Sequence, residues 1–142
     1  MKYLLDTCVI SELVAKQPHP PVVQWVDGVE ETCLYLSVVT IGEIRKGIAK
    51  LPDSPRKITL QEWLQDQLLA RFSGRIVPID TGVMLRWGQL TASLELAGRP
   101  MPAIDSLIAA SALHADFSLV TRNEADFRHA GVPIVNPWQQ TV

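Results

Sequence analysis

Asp6, Glu43, Asp105 and Asp126 are the residues of this sequence whose types and placement offer chemistry. They lie far apart along the chain, yet each stands where an α/β fold would carry it to the same edge. Asp6 directly ends the apolar run 2–6 (Lys-Tyr-Leu-Leu-Asp), which reads as a buried strand. Glu43 falls in the first turns of an amphipathic stretch that follows a second strand. Asp105 lies in the first turn of a helix introduced by Pro100 and Pro102, and the small residues Ala109 and Ala112 on its face leave room for a carboxylate near the core. Asp126 follows a strand that ends at Thr121. In open parallel sheets function gathers at the carboxyl ends of the strands, so these acids are expected to converge.

Taken singly, each acid has an ordinary explanation, because a carboxylate near a helix N-terminus offsets the helix dipole. Asp80 is the clearest such case, since it directly precedes Thr81 and can cap the helix that follows. Taken together, carboxylates clustered without matching cations repel one another and lose hydration at a cost. A hard divalent cation resolves that conflict, and oxygen-only ligands favour Mg²⁺ or Mn²⁺ over zinc. Such an ion can activate a water and offset charge building on a phosphate during in-line attack. Phosphodiester hydrolysis is the chemistry this pattern points to.

The elements that must position these acids alternate between strand and helix. The spacing predicts strands at Lys2–Asp6, Thr32–Ser37, Ile76–Ile79, Ser118–Thr121 and Pro133–Val135. Between them it predicts a helical turn or two at Val9–Val14 and a short helix opened by Pro20 or Pro21 and running to Val29. Longer helices are predicted at Val38–Leu51, Ser54–Phe72, Thr81–Leu96 and Ala103–Ala115, with a short one at Glu124–His129. Such alternation implies an α/β layer fold with a mostly parallel central sheet flanked by helices. With no repeat, linker or low-complexity tract, residues 1–142 are expected to form a single domain.

Composition excludes several classes. Apolar residues make up 47% and charged residues 20%, an ordinary globular balance that argues against disorder. The apolar runs are too short to span a bilayer, and Asp6 interrupts the stretch that a signal peptide would continue, so the expectation is a cytoplasmic protein without membrane contact. The net charge of −2 argues against a protein that coats nucleic acid, but a local basic rim can still meet phosphates. Cys8 and Cys33 lack metal-ligand spacing and read as reduced, largely buried thiols.

Four blocks of the chain carry a family resemblance: Leu4-Leu5-Asp6-Thr7-Cys8-Val9-Ile10-Ser11-Glu12; Thr40-Ile41-Gly42-Glu43-Ile44 with Gly47; Asp105-Ser106-Leu107-Ile108-Ala109-Ala110; and Leu119-Val120-Thr121-Arg122-Asn123 with Asp126-Phe127. Their order and content resemble the signature blocks of PIN-domain proteins, and the ending Val135-Asn136-Pro137-Trp138 resembles toxins of the VapC and FitB kind. The resemblance implies a PIN fold and a Mg²⁺- or Mn²⁺-dependent ribonuclease, the toxin of a toxin–antitoxin pair. Such toxins cleave RNA, are usually inhibited by a small antitoxin and are usually homodimers. By position, Asp6, Glu43 and Asp105 match the family's three core acids. Members place a fourth acid either where Asn123 stands or where Asp126 stands. Asn123 is an amide and a weaker metal ligand, so Asp126 is favoured, with Asn123 as a polar helper. Cys8 departs from the small polar residue many members carry, which leaves Thr7 and Ser11 as the hydroxyl-bearing helpers.

Other side chains have two readings each. Arg45, Lys46 and Lys50 form either a solvated face or a phosphate-steering one. Arg122 either contacts an RNA backbone or pairs with an acid. Gly47 either admits substrate or a partner, or permits close helix packing. The tryptophans Trp25, Trp63, Trp87 and Trp138 are scattered and read first as core or interface anchors rather than base-stacking groups. The apolar residues Ile58, Trp63, Leu64, Leu68, Leu69 and Phe72 of the 54–72 helix are either absorbed by the core or covered by a second copy of the chain. A DNA-cleaving or RNA-processing PIN-like nuclease is the alternative function, and a non-catalytic PIN-like module would lack the acids present here. A receiver-like phosphoacceptor domain would need two adjacent acids after the first strand and a lysine after a late one, and neither is present.

Overall fold

The computed structural model describes residues 1–139. Five strands form one sheet in the order β3-β2-β1-β4-β5, and every neighbouring pair is parallel. These are β1 (Tyr3–Leu5), β2 (Leu34–Ser37), β3 (Ile76–Val77), β4 (Ser118–Val120) and β5 (Ile134–Val135). The helices are α1 (Thr7–Leu13), α2 (Pro20–Gly28), α3 (Val38–Ala49), α4 (Pro55–Glu62), α5 (Leu69–Arg71), α6 (Thr81–Leu96), α7 (Ala103–His114) and α8 (Glu124–Phe127). This is the mostly parallel, helix-flanked sheet that the alternation of elements implied.

The sheet is covered on both faces because its strands are apolar on both faces. Leu5, Leu34, Leu36 and Val120 pack with Val9, Ile10, Ile44, Ile48, Leu64 and Phe72 of the helices on one side. Leu4 and Leu119 point the other way, to Ile108, Ala109, Ala112 and Phe127. The chain builds outward from β1 through β2 to β3, then returns to place β4 on the opposite side of β1. The order therefore switches at β1, and a crevice at such a point opens beyond the strand's carboxyl end, where Asp6 stands.

Local chemistry sets the element boundaries. Ser37 caps α3 by accepting from the Val39 N–H (3.1 Å), and Ser54 caps α4 from the Lys57 N–H (3.2 Å), with Pro55 in the first turn. Asp80 caps α6 through the Val83 N–H at 2.9 Å, the structural role expected of it. Gly98 ends α6 at φ +72°, where the Gly98 and Arg99 amides return to the Glu95 and Leu94 carbonyls. The second strand is shorter than Thr32–Ser37, because Glu31–Cys33 coils into a 3₁₀ turn before β2. The Ser54–Phe72 stretch is helical throughout but passes through a π-helical segment, Trp63–Leu68, between α4 and α5.

That segment resolves the apolar face of residues 54–72. Leu64, Leu68 and Phe72 are buried, and Trp63 and Leu69 pack against the same cluster. Only Ile58 of the six is exposed, at 57%. The core absorbs most of this face and leaves Ile58 at the surface. No described helix is long and apolar enough to cross a membrane.

Leu4 and Leu5 are neighbours in sequence, fully buried and on opposite faces of the sheet. Leu4→Ala and Leu5→Ala are each expected to lower the unfolding free energy by about 2–5 kcal/mol, read by urea titration. A sheet with one solvated face would show the loss at only one of the two.

Candidate active site

Asp6 is the pivot of the site. It is 5% exposed, and its backbone N–H extends the β1–β4 ladder to the Val120 carbonyl at 2.9 Å. Its side chain caps α1, with Oδ1 accepting from the Thr7 N–H and Oδ2 from the Thr121 hydroxyl, both at 2.8 Å. Thr121 is fully buried just past β4, and its hydroxyl oxygen also accepts from the Asn123 N–H at 3.0 Å. One threonine thus ties the end of β1 to the turn leading into α8. Cys8 Sγ lies 3.8 Å from Asp6 Oδ2, accepts weakly from the Arg122 N–H, and has its thiol pKa pushed up, chiefly by burial. Cys8 and Cys33 are half-buried free thiols.

Glu43 joins the site through Thr7. The Thr7 hydroxyl donates to Glu43 Oε1 at 2.5 Å and lies 3.2 Å from the Thr40 hydroxyl. Thr40 and Glu43 are three residues apart on α3 and so share one face. Asp105, in the first turn of α7, is half-buried. The turn that carries it is locked against α6 by Ser106, which accepts from Trp87 Nε1 and donates to the Ala103 carbonyl, both at 2.8 Å.

Electrostatics link Asp105 to the other acids. Burial raises the Asp105 pKa above its ordinary value, and the charges of Asp6, Asp126 and Glu43 raise it further. The Asp6 pKa is also raised, first by burial and in small part by Asp126; the hydrogen bonds from Thr121, Thr7 and Cys8 act in the opposite direction. Among the described residues no side-chain cation forms an ion pair with these acids. The described ion pairs are Lys57–Asp53, Arg71–Glu31 and Arg75–Glu31, none of which involves these acids.

Among the described residues no three His, Cys, Asp or Glu side chains stand close enough to chelate an ion together. The donor set nevertheless fits a hard divalent cation. Its oxygens are uncompensated, and Mg²⁺ takes one or two carboxylates directly and keeps several waters. Mutual interaction without mutual contact is the spacing such a partly hydrated ion suits.

The remaining candidates fall around this cluster. Asn123 and Asp126 are both exposed, and the Asp126 N–H donates to the Asn123 carbonyl at 3.1 Å. Of the two, Asp126 is the one whose charge reaches Asp6 and Asp105. Ser11 is exposed and lines a cleft with Thr7, Glu43, Gly47 and Trp63. Lys46 and Lys50 line a second cleft beside Glu43, whereas Arg45 faces a third, away from it. A Cβ on Gly47 would meet nothing within 4 Å, which removes helix packing as the reason for glycine there and leaves open access beside Glu43. Arg122 pairs with no acid among the described residues, and its guanidinium sits 5.7 Å from the Trp138 ring centroid. Thr40, Thr121 and the Trp87–Ser106 pair were not singled out from sequence. The one available signal was Thr121 itself, a polar residue ending an apolar strand.

The fold and site together make this an α/β protein with a parallel sheet and acids placed at its carboxyl edge. The chain belongs to the PIN-domain family, whose model matches residues 3–133. It is 38% identical over 135 residues to Toxin FitB of Neisseria gonorrhoeae, a match covering 95% of this chain and 97% of the toxin. It is 35% identical over 136 residues to VapC ribonuclease Y4jK of Sinorhizobium fredii, covering 96% and 97%. Its fold matches the solved structure of FitAB bound to an IR36 DNA fragment with a TM-score of 0.93 and 36% identity, covering 99% of this chain and 98% of that one.

The raised Asp105 pKa fixes the sign of a pH effect on the metal-free protein. An acid whose folded pKa lies above its unfolded value binds more protons when folded, so its ionisation removes stability as pH rises. Asp105→Asn is therefore expected to melt above wild type at neutral pH in EDTA. The gap should close below the ordinary carboxylate range, where both proteins are uncharged at this position. Thermal melts across pH check this.

Proposed function

We propose that this chain is a divalent-metal-dependent endoribonuclease, the toxin of a toxin–antitoxin pair acting in the cytoplasm. The observation that carries the reading is that the charges of Asp6, Asp126 and Glu43 add to burial in raising the Asp105 pKa, and that of Asp126 adds to it at Asp6, with no ion pair to any of these acids among the described residues. In this reading those acids hold Mg²⁺ or Mn²⁺. When bound, such an ion supplies positive charge at the phosphate and acidifies water beside it.

The chain's own residues set the stage. Thr121 and the Thr7 amide fix both oxygens of Asp6, leaving the outward lone pairs for the ion. The Thr7 hydroxyl fixes Glu43. Lys46 and Lys50 draw the RNA backbone toward the Glu43 edge, and open space at Gly47 lets it approach. Asn123 holds the turn that carries Asp126. FitB and the VapC ribonuclease extend this reading to RNA as substrate and to a toxin's role, and the FitAB complex extends it to a small antitoxin partner. A basic side chain from that partner, entering the carboxylates, would offset their charge as a metal does. A homodimer belongs to the same reading. With most of the 54–72 face absorbed, its apolar surface would come from exposed residues such as Met84 and Leu85 of α6.

The purified protein is expected to cleave single-stranded RNA with Mg²⁺ or Mn²⁺ and to stop in EDTA. Asp6→Asn and Asp105→Asn should each lower the rate by about 10²-fold or more while the fold persists. Asp126→Asn should cost more rate than Asn123→Ala. Cleavage that ignores chelation refutes the metal reading, and the reverse ranking of the last two variants transfers the fourth position to Asn123.

A further inference from the structure

A cleft of about 820 Å³ lies not at the acids but beside them, bounded by Glu12, His19, Arg122, Asn136 and Trp138. That volume suits a small organic ligand or a nucleotide. The cleft starts at the turn that holds Asp6, since Arg122 directly follows Thr121, whose hydroxyl donates to the Asp6 carboxylate. Its other wall is α1, the helix Asp6 caps, and Glu12 lies six residues, about 9 Å of helix rise, beyond Asp6.

Trp138 is a prepared platform in this cleft. Its N–H donates to the Asn136 side-chain oxygen at 3.0 Å, and the Asn136 amide donates to Glu124 Oε2 at 2.9 Å. The turn is thereby pinned to α8, while the indole packs partly against the core. Over the indole lies the exposed Arg122 guanidinium, which makes no ion pair among the described residues. The side chain of Gln17 also borders the cleft and brings a carboxamide that can both donate and accept.

We propose that this cleft binds the nucleotide next to the scissile phosphate in single-stranded RNA, with Trp138 stacking its base and Arg122 meeting its phosphate. The proposal rests on the ribonuclease reading above and adds a specificity subsite to it. A base displaces the guanidinium from the indole because base–indole stacking is stronger than an exposed cation–π contact. The released guanidinium then takes the adjoining phosphate, for which its forked donors are suited. Only an unpaired base presents a free face, so duplex RNA is excluded. Gln17 reads the base edge.

Binding is measured by fluorescence anisotropy in the presence of Mg²⁺ in an Asp105→Asn background, so that the measurement does not depend on cleavage. The probes are a short single-stranded RNA and the same strand made abasic. Trp138→Ala is expected to weaken RNA binding about tenfold, with Trp138→Phe restoring most of it. Abasic RNA should bind all three Trp138 forms alike. Arg122→Ala should weaken both probes and flatten the salt dependence. Equal RNA binding by the Trp138 forms overturns the proposal, as does an equal loss for abasic RNA, which would make Trp138 a structural residue only. Unchanged RNA binding with weakened antitoxin binding overturns it in favour of a protein-partner cleft. Failure of the wild type to cleave RNA would remove the ribonuclease reading alone, because base-dependent binding is read separately.

Discussion

Like charges held together without a counter-charge are the constraint on which this structure turns. Asp6 is buried at the end of the central strand, and Asp105 is half-buried opposite it, within the field of Glu43 and Asp126. A desolvated carboxylate among carboxylates is disfavoured, and among the described residues no lysine or arginine pairs with these acids to relieve it. Much of the surrounding architecture serves to hold that arrangement in place. Both oxygens of Asp6 are hydrogen-bonded, α1 is capped by the same side chain, and Ser106 and Trp87 brace the turn that carries Asp105.

Topology supplies the convergence. Acids separated by up to 120 positions meet because every strand runs in the same direction and the strand order switches at β1. The acids sit just past the carboxyl end of β1 and in the early turns of α3, α7 and α8. Helix N-termini there contribute partial positive charge, which eases the acids without neutralising them. The residue types fit the same logic: oxygen donors at the centre, Lys46 and Lys50 to one side, and the Arg122–Trp138 pair to the other.

The parts of this arrangement legible in the sequence were those with local signatures. Asp6 after an apolar strand, Asp80 before a helix and the 3.6-residue apolar spacing of α3 each announce themselves within a few residues. Boundaries shifted where a local preference gave way to packing, as at Thr32, which β-propensity placed in a strand and the structure coils into a 3₁₀ turn. The apolar face of residues 54–72 was ambiguous because a spacing cannot say whether its partner is the same chain or another. The π-helical turn that seats Leu64 and Leu68 in the core has no sequence signal of its own. The braces were hidden for a related reason. Thr121 reaches Asp6 across 115 residues and Trp87 reaches Ser106 across 19, contacts that only the fold creates. Between Asn123 and Asp126 residue type favoured Asp126, and the effect of its charge on Asp6 and Asp105 agrees with that preference.

The central claim is that these acids exist to hold a divalent cation, and calorimetric titration of Mn²⁺ into the metal-free protein tests it most directly. The account predicts saturable binding to the wild type that weakens as the pH is lowered toward the carboxylate range, because the raised pKa values of Asp6 and Asp105 let protons compete with the ion. It predicts that binding is lost in the Asp6→Asn/Asp105→Asn double variant. Equal Mn²⁺ binding by the two proteins, or none by the wild type, would contradict it.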